Sequence, residues 1–141
     1  MDPANVVNAL CIQGMEAEGR GELDLAGSRY REAWDLHRTH IEAAVAAHYL
    51  ARVQQTTEAT LEWNRRALDE AFACDPELVA GLLPSLHLNL GKSHEDVGDR
   101  ELARKQYLLA EAAGHVLGDD PYGRMLRGGI VAALERTVVI G

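Results

Sequence analysis

Aromatic side chains make up only 5% of this chain of 141 residues: one Phe, four Tyr and two Trp. β-Branched apolar residues are scarce too, with Val and Ile together numbering 14 against 21 Ala and 19 Leu. Ala and Leu lose little side-chain freedom in a helix, so this balance excludes an all-β domain and predicts an all-α one. Two cysteines, Cys11 and Cys74, are too few for a disulfide scaffold. Neither has a Cys or His at ligand spacing, so both are expected as free, buried thiols. Lysine is nearly missing, at Lys92 and Lys105 only, and no run of basic residues is longer than Arg65-Arg66. With 22 acidic against 14 basic residues the net charge is −8, which repels phosphates and excludes a generic nucleic-acid or anionic-membrane partner.

Long apolar runs are lacking as well. Nothing approaches the roughly 18 consecutive apolar residues of a membrane-spanning helix. The stretch up to Gly19 has no Lys or Arg ahead of its apolar segment Val6 to Ile12, so it lacks the layout of a signal peptide. A cytoplasmic protein is expected. HExxH, CxxC, GxSxG and phosphate-cradling glycine loops are all missing, so no catalytic residues, metal ligands or cofactor are expected and the chain reads as a non-enzyme. What is present is 47% apolar and 26% charged residues, enough for one domain with a sizeable core.

The organising feature is a repeated spacing. Gly14, Gly21, Ala26, Tyr30 and Ala33 follow one another at gaps of 7, 5, 4 and 3, and Gly91, Gly98, Ala103, Tyr107 and Ala110 repeat the same types at the same gaps 77 residues later. Leu25 and Leu102 match too. A weaker copy lies between, in which Ala51, Thr60, Asn64 and Ala67 keep the last two gaps across a shorter turn. Glycine inside a helical stretch costs about 1 kcal/mol against Ala, so Gly14 and Gly91 point to close approach of a second helix carrying the small Ala26 or Ala103. Tyr30 and Tyr107 lie one turn further on the same face, and Ala33 and Ala110 continue the stripe. Gly21 and Gly98 suit a left-handed helix stop. Each unit therefore reads as a helical hairpin. Helices are predicted near 4–19, 23–38, 41–54, 57–74, 77–97, 100–117 and 121–138, with Pro84 near a break or a start. Asp120 and Pro121 open the last helix, on which Met125, Leu126, Ile130, Ala133 and Leu134 form the stripe that caps the last hairpin.

These spacings resemble the tetratricopeptide repeat (TPR), a motif with small residues where two helices cross, a glycine in the turn, an aromatic on the second helix and a closing alanine. The resemblance covers about residues 5–117. It departs from the motif in lacking a proline after the first unit, in the clipped middle turn, and in the irregular segment 69–86. It implies an all-α superhelical array of about three TPR-like hairpins, with units about 5–38, 41–74 and 84–117, and a C-terminal capping helix about 121–138, in one domain spanning 1–141.

The resemblance also implies a concave groove lined by the first helix of each unit. Carried onto this chain, the groove positions are Ile12, Met15 and Glu18; His48, Tyr49, Arg52 and Gln55; and Leu88, Asn89, Lys92, Glu95 and Asp96. Arg52, Asn89 and Lys92 are expected to anchor a carboxylate or carbonyl, with Met15 and Tyr49 giving apolar contact. The implied function is a non-catalytic adaptor or scaffold for a protein or peptide partner. One alternative is a small-molecule or metal-binding sensor, or an enzyme-like pocket, around His48, Tyr49 and Glu95. A further alternative is a self-assembling subunit, a homodimer through the C-terminal helix, because the apolar end Val138-Val139-Ile140 must be covered by folding back or by a second copy. Of the other histidines, His37 and His40 are expected at a helix end against terminal carbonyls, and His87 and His94 as buried, hydrogen-bonded imidazoles. Trp34 and Trp63 are expected to fill space between hairpins.

Overall fold

A computed structural model describes residues 1–140; Gly141, the last residue of the expected domain, lies outside the described residues. The secondary structure of the described residues is entirely helical: α1 (Val6–Gly19), α2 (Leu23–Leu36), α3 (His40–Ala51), α4 (Thr57–Phe72), α5 (Pro76–Val79), α6 (Leu83–Asp96), α7 (Arg100–Ala113) and α8 (Pro121–Arg136), with one 3-10 turn at Gly114–Val116. Side-chain oxygens begin five of them. Asn5, Thr39, Thr56, Asp99 and Asp120 each accept a bond from a first-turn backbone N–H that the helix itself leaves without a partner.

Contacts divide the chain into two compact units, Met1–Cys74 and the remainder from Asp75. In the first, α1 and α2 pack as one hairpin and α3 and α4 as another, and α3 also touches α1 and α2. Alanine dominates the contact surface of α3, where Ala43, Ala44, Ala46, Ala47 and Ala51 are buried with Leu50. So many methyl side chains let neighbouring helices come close without losing side-chain freedom. In the second unit α6 and α7 form the hairpin and α8 packs on both, around Ala103, Tyr107 and Ala133 with Leu88 and Leu134.

The two strong copies of the repeated spacing have the same local physics. Tyr30 and Tyr107 are fully buried, and each ring lies against a helical glycine. A Cβ on Gly14 would stand 2.1 Å from Tyr30 Cε1, and one on Gly91 would stand 2.5 Å from Tyr107 Cε1, so no larger residue fits beside either ring. The close approach expected at these glycines is thus to the tyrosine ring. Gly21 and Gly98 hold φ of 76° and 87°. The bonds Glu22 N–H to Ala17 C=O and Asp99 N–H to His94 C=O, 2.9 and 2.8 Å, close the two turns in the same way, satisfying carbonyls at the helix ends.

Several expected boundaries move. The helix expected over 77–97 is two, α5 and α6, because Pro84 in the first turn of α6 has no N–H to continue a helix from Ala80. α2 stops at Leu36, since His37 is extended and its Nδ1–H donates to the Trp34 carbonyl at 2.5 Å, which is the terminal-carbonyl role expected of it. His40 instead opens α3 and bonds Glu70 on α4 at 2.6 Å. α3 and α4 end at Ala51 and Phe72, and α7 tightens at Ala113 into the 3-10 turn. Met125 is exposed, so the buried stripe of α8 is Leu126, Ile130 and Ala133. Neither cysteine is in a disulfide; Cys11 is buried and Cys74 only half-buried. No helix among the described residues is long and apolar enough to cross a membrane.

Candidate functional site

Each unit contains one three-residue latch; of the expected groove residues, Glu18 and Arg52 meet in the first and Glu95 takes part in the second. In the first, Tyr30 on α2 donates its hydroxyl proton to Glu18 Oε1 on α1 at 2.5 Å. Arg52, at the end of α3, reaches the same carboxylate with two forked bonds, Nε to Oε1 and Nη2 to Oε2, both 3.0 Å. In the second, the Tyr107 hydroxyl donates to Glu95 Oε1, and Arg136 at the end of α8 donates to Glu95 through Nη2 at 3.0 Å and Nε at 3.4 Å. Tyr and Glu come from one hairpin, while the arginine comes from the next helix packed upon it. The planar fork of a guanidinium matches the two oxygens of a carboxylate, so each latch fixes an angle as well as a charge.

The electrostatics follow from the bonding. Burial raises the Glu18 carboxyl, but the hydrogen bonds from Arg52 and Tyr30 and the Arg52 charge outweigh it, so the net displacement is downward. Arg136 holds the Glu95 carboxyl below its ordinary range, against burial and with help from Tyr107. Both tyrosines are pushed up, by burial first and then by the bond to a carboxylate that needs the phenol proton.

Beside the first latch lie His48 and Tyr49. The Tyr49 ring stacks on Tyr30, centroids 5.3 Å apart, and the His48 ring meets Tyr49 edge-on at 4.9 Å. Burial, then the Arg52 charge, lowers the His48 imidazole to about 4, with Glu18 opposing, so the ring is neutral at pH 7. Met15 and Ile12 are half-buried on α1, and Gln55 is exposed beyond α3.

The second unit holds the other expected residues on α6. Lys92 pairs with Asp96 one turn along, both with exposed side chains. Leu88 packs against the Tyr107 core, and Asn89 is half-buried. Glu95 is committed within its own unit to Tyr107 and Arg136. His87 is buried and bonds Gln106 Oε1 at 2.8 Å through Nδ1, and His94 is buried as well. After α8 the chain lies along α7, where Arg100 donates to the carbonyls of Arg136 and Val138 at 2.7 and 2.9 Å. The tail's backbone is thus tethered, yet Val139 and Ile140 remain 79% and 91% exposed beside an open groove of about 640 Å³. The tail folds back by its backbone and leaves its apolar side chains uncovered.

A third arrangement escaped the sequence reading. Trp34 on α2 and Trp63 on α4 meet edge to face at 5.1 Å, with Arg31 over Trp63 and Arg66 over both indoles. The signal that could have found it is an Arg and a Trp three residues apart on each helix, in opposite order. Among the described residues no group of three or more His, Cys, Asp or Glu is placed to hold a metal ion. No family model matches the chain, and no curated protein is significantly similar to it.

Proposed function

We propose that the chain is a non-catalytic, TPR-like binding module that takes a protein or peptide partner on the α1–α3 face of its first unit. Arg52 carries this reading. Its Nε and Nη2 are locked on Glu18, while Nη1 makes no hydrogen bond to any described residue and the side chain is 52% exposed. A donor already fixed in place gives up little conformational freedom when a partner arrives, which favours binding. A carboxylate or backbone carbonyl is the natural acceptor for that free edge. Tyr49 and Met15 lie on the same two helices and supply apolar contact.

His48 favours this reading over an enzyme-like pocket. An imidazole lowered to about 4 is a weak general base at neutral pH. Glu95, the acid expected to work with it, already holds a tyrosine and an arginine in its own unit.

The test is affinity capture from native extract with the unaltered chain, Arg52→Ala and Arg136→Ala. Each variant loses one arginine from an equivalent latch, so their stability losses are comparable. Arg52→Ala is expected to lose the partner and Arg136→Ala to keep it. Full capture by Arg52→Ala would remove the α1–α3 face from the function.

A further inference from the structure

The Trp34–Trp63 cluster has a chemistry of its own. α2 contributes Arg31 and Trp34, and α4 contributes Trp63 and Arg66. The Arg31 guanidinium carbon is 5.3 Å from the centre of the Trp63 ring, and that of Arg66 is 4.6 Å from the same ring and 5.4 Å from Trp34. The His37 ring also meets Trp34, tilted, with centroids 4.5 Å apart. Trp63 is thereby 9% exposed, and Trp34 is half-buried.

A guanidinium laid on an indole is attracted by the ring face and held in place, while its N–H edges stay free to donate. Neither Arg31 nor Arg66 has a hydrogen bond or ion pair to any described residue. Three of the neighbouring carboxylates are engaged elsewhere, Glu32 with Arg29, Glu62 with Arg65, and Glu70 with His40, while Asp35 and Asp69 form no ion pair with either arginine. Two cations therefore lie within 5.3 Å of the centre of one indole without an ion pair to any described residue, on a chain whose net charge is −8. Two forked donors match a tetrahedral oxyanion bearing two charges.

We propose that Arg31 and Arg66, held on Trp63 and Trp34, form a binding site for a phosphate dianion, either inorganic phosphate or the phosphate monoester of a modified side chain. The site uses a different face from the one assigned to the partner above and does not rest on that reading. An oxyanion bridging the guanidiniums draws both arginines and shifts their position over the indoles. The emission of the indoles reports this directly, because these are the only two tryptophans of the chain.

The experiment titrates the protein at pH 7.5 with sodium phosphate and, separately, with N-acetyl-phosphoserine amide, each against sodium chloride at matched ionic strength. Tryptophan emission and the two indole N–H resonances are followed. A saturable change beyond the chloride control is expected, and whichever probe binds more tightly identifies the source of the phosphate. Arg31→Gln and Arg66→Gln, checked for unchanged helicity, should each weaken binding at least tenfold. Arg65→Gln, which removes an arginine on α4 paired to Glu62, should leave binding unchanged. Lowering the pH to 5 turns the dianion into a monoanion and should weaken binding by a similar factor. No response beyond chloride to either probe would overturn the proposal, and so would binding that survives both Arg31→Gln and Arg66→Gln.

Discussion

One missing carbon atom decides the packing at Gly14 and Gly91. The tyrosine ring beside each cannot retreat, because it is fully buried and its hydroxyl is held by a carboxylate on the opposing helix. Gly14→Ala and Gly91→Ala are therefore expected to lose about 2 kcal/mol by overpacking, although alanine by itself favours the helix by about 1 kcal/mol. Gly128 provides the contrast: it is helical, and nothing lies within 4 Å of the Cβ it would gain. Gly128→Ala should stabilise by about 0.5–1 kcal/mol, giving opposite shifts in urea midpoint for the same substitution. Cys11 is equally local in its cause. It is fully buried and its thiol is pushed up to about 12 by that burial, whereas Cys74 is half-buried. A disulfide reagent at pH 8 should modify Cys74 first and Cys11 only at the rate at which the first unit opens. Prompt modification of both would contradict this burial.

Among the elements, α3 and α8 do the same work from different distances in the chain. Each ends in an arginine that closes a Glu–Tyr pair, and the pair itself is 12 residues apart in both hairpins. The arginine is 34 residues from its glutamate in the first unit and 41 in the second. This difference explains what could be read in advance. The hairpins were legible because Gly14, Gly21, Tyr30 and their copies sit at constant spacing, and short turns hold that spacing rigid. The latches were not, because each needs a third helix whose offset varies with the intervening loop. Glu18, Arg52 and Glu95 therefore read as groove positions, while the bond each makes within its own unit could not be read from spacing. Similarly, α5 could not be separated from α6 by periodicity, since both are apolar and only Pro84 divides them. If Arg136 secures α8, Arg136→Ala should cost about 1 kcal/mol and lower amide protection in α8 more than in the middle of α7. A double-mutant cycle with Glu95→Gln should give a coupling of about 0.5–1 kcal/mol. Unchanged protection in α8 would show that Leu126, Ile130 and Ala133 hold it without the latch.

Over the whole molecule, the displaced titrations share one direction in acid. Glu18 and Glu95 lie below the ordinary carboxylate range for the reasons given above, and Glu42 does too, held by bonds from the Asn5 side chain and the Arg38 N–H. A carboxyl that is more acidic when folded contributes stability above its unfolded value, and loses it as pH falls through the folded one. His48 has the same sign. Its unfolded imidazole takes up a proton near 6.5, and the folded one resists until about 4, so its contribution is complete above 6.5 and disappears between those values. Tyr30 and Tyr107 act at the other end. Their unfolded phenols ionise near 10.0 while the folded ones stay protonated, so stability falls as pH rises beyond 10.0. Cys11 acts earlier still, since its unfolded thiol ionises near 9.0 while the folded one, pushed up to about 12, stays protonated. A plateau between about pH 7 and 8.5 follows, with an acid limb to which His48 contributes above the carboxylate range. The urea midpoint of the unaltered chain should fall between pH 6.5 and 4.5. In His48→Gln that part of the loss, on the order of 1–2 kcal/mol, should disappear, while Glu95→Gln should leave it intact and flatten the curve only at lower pH. An acid limb in His48→Gln that still starts at 6.5 would show that another group sets it.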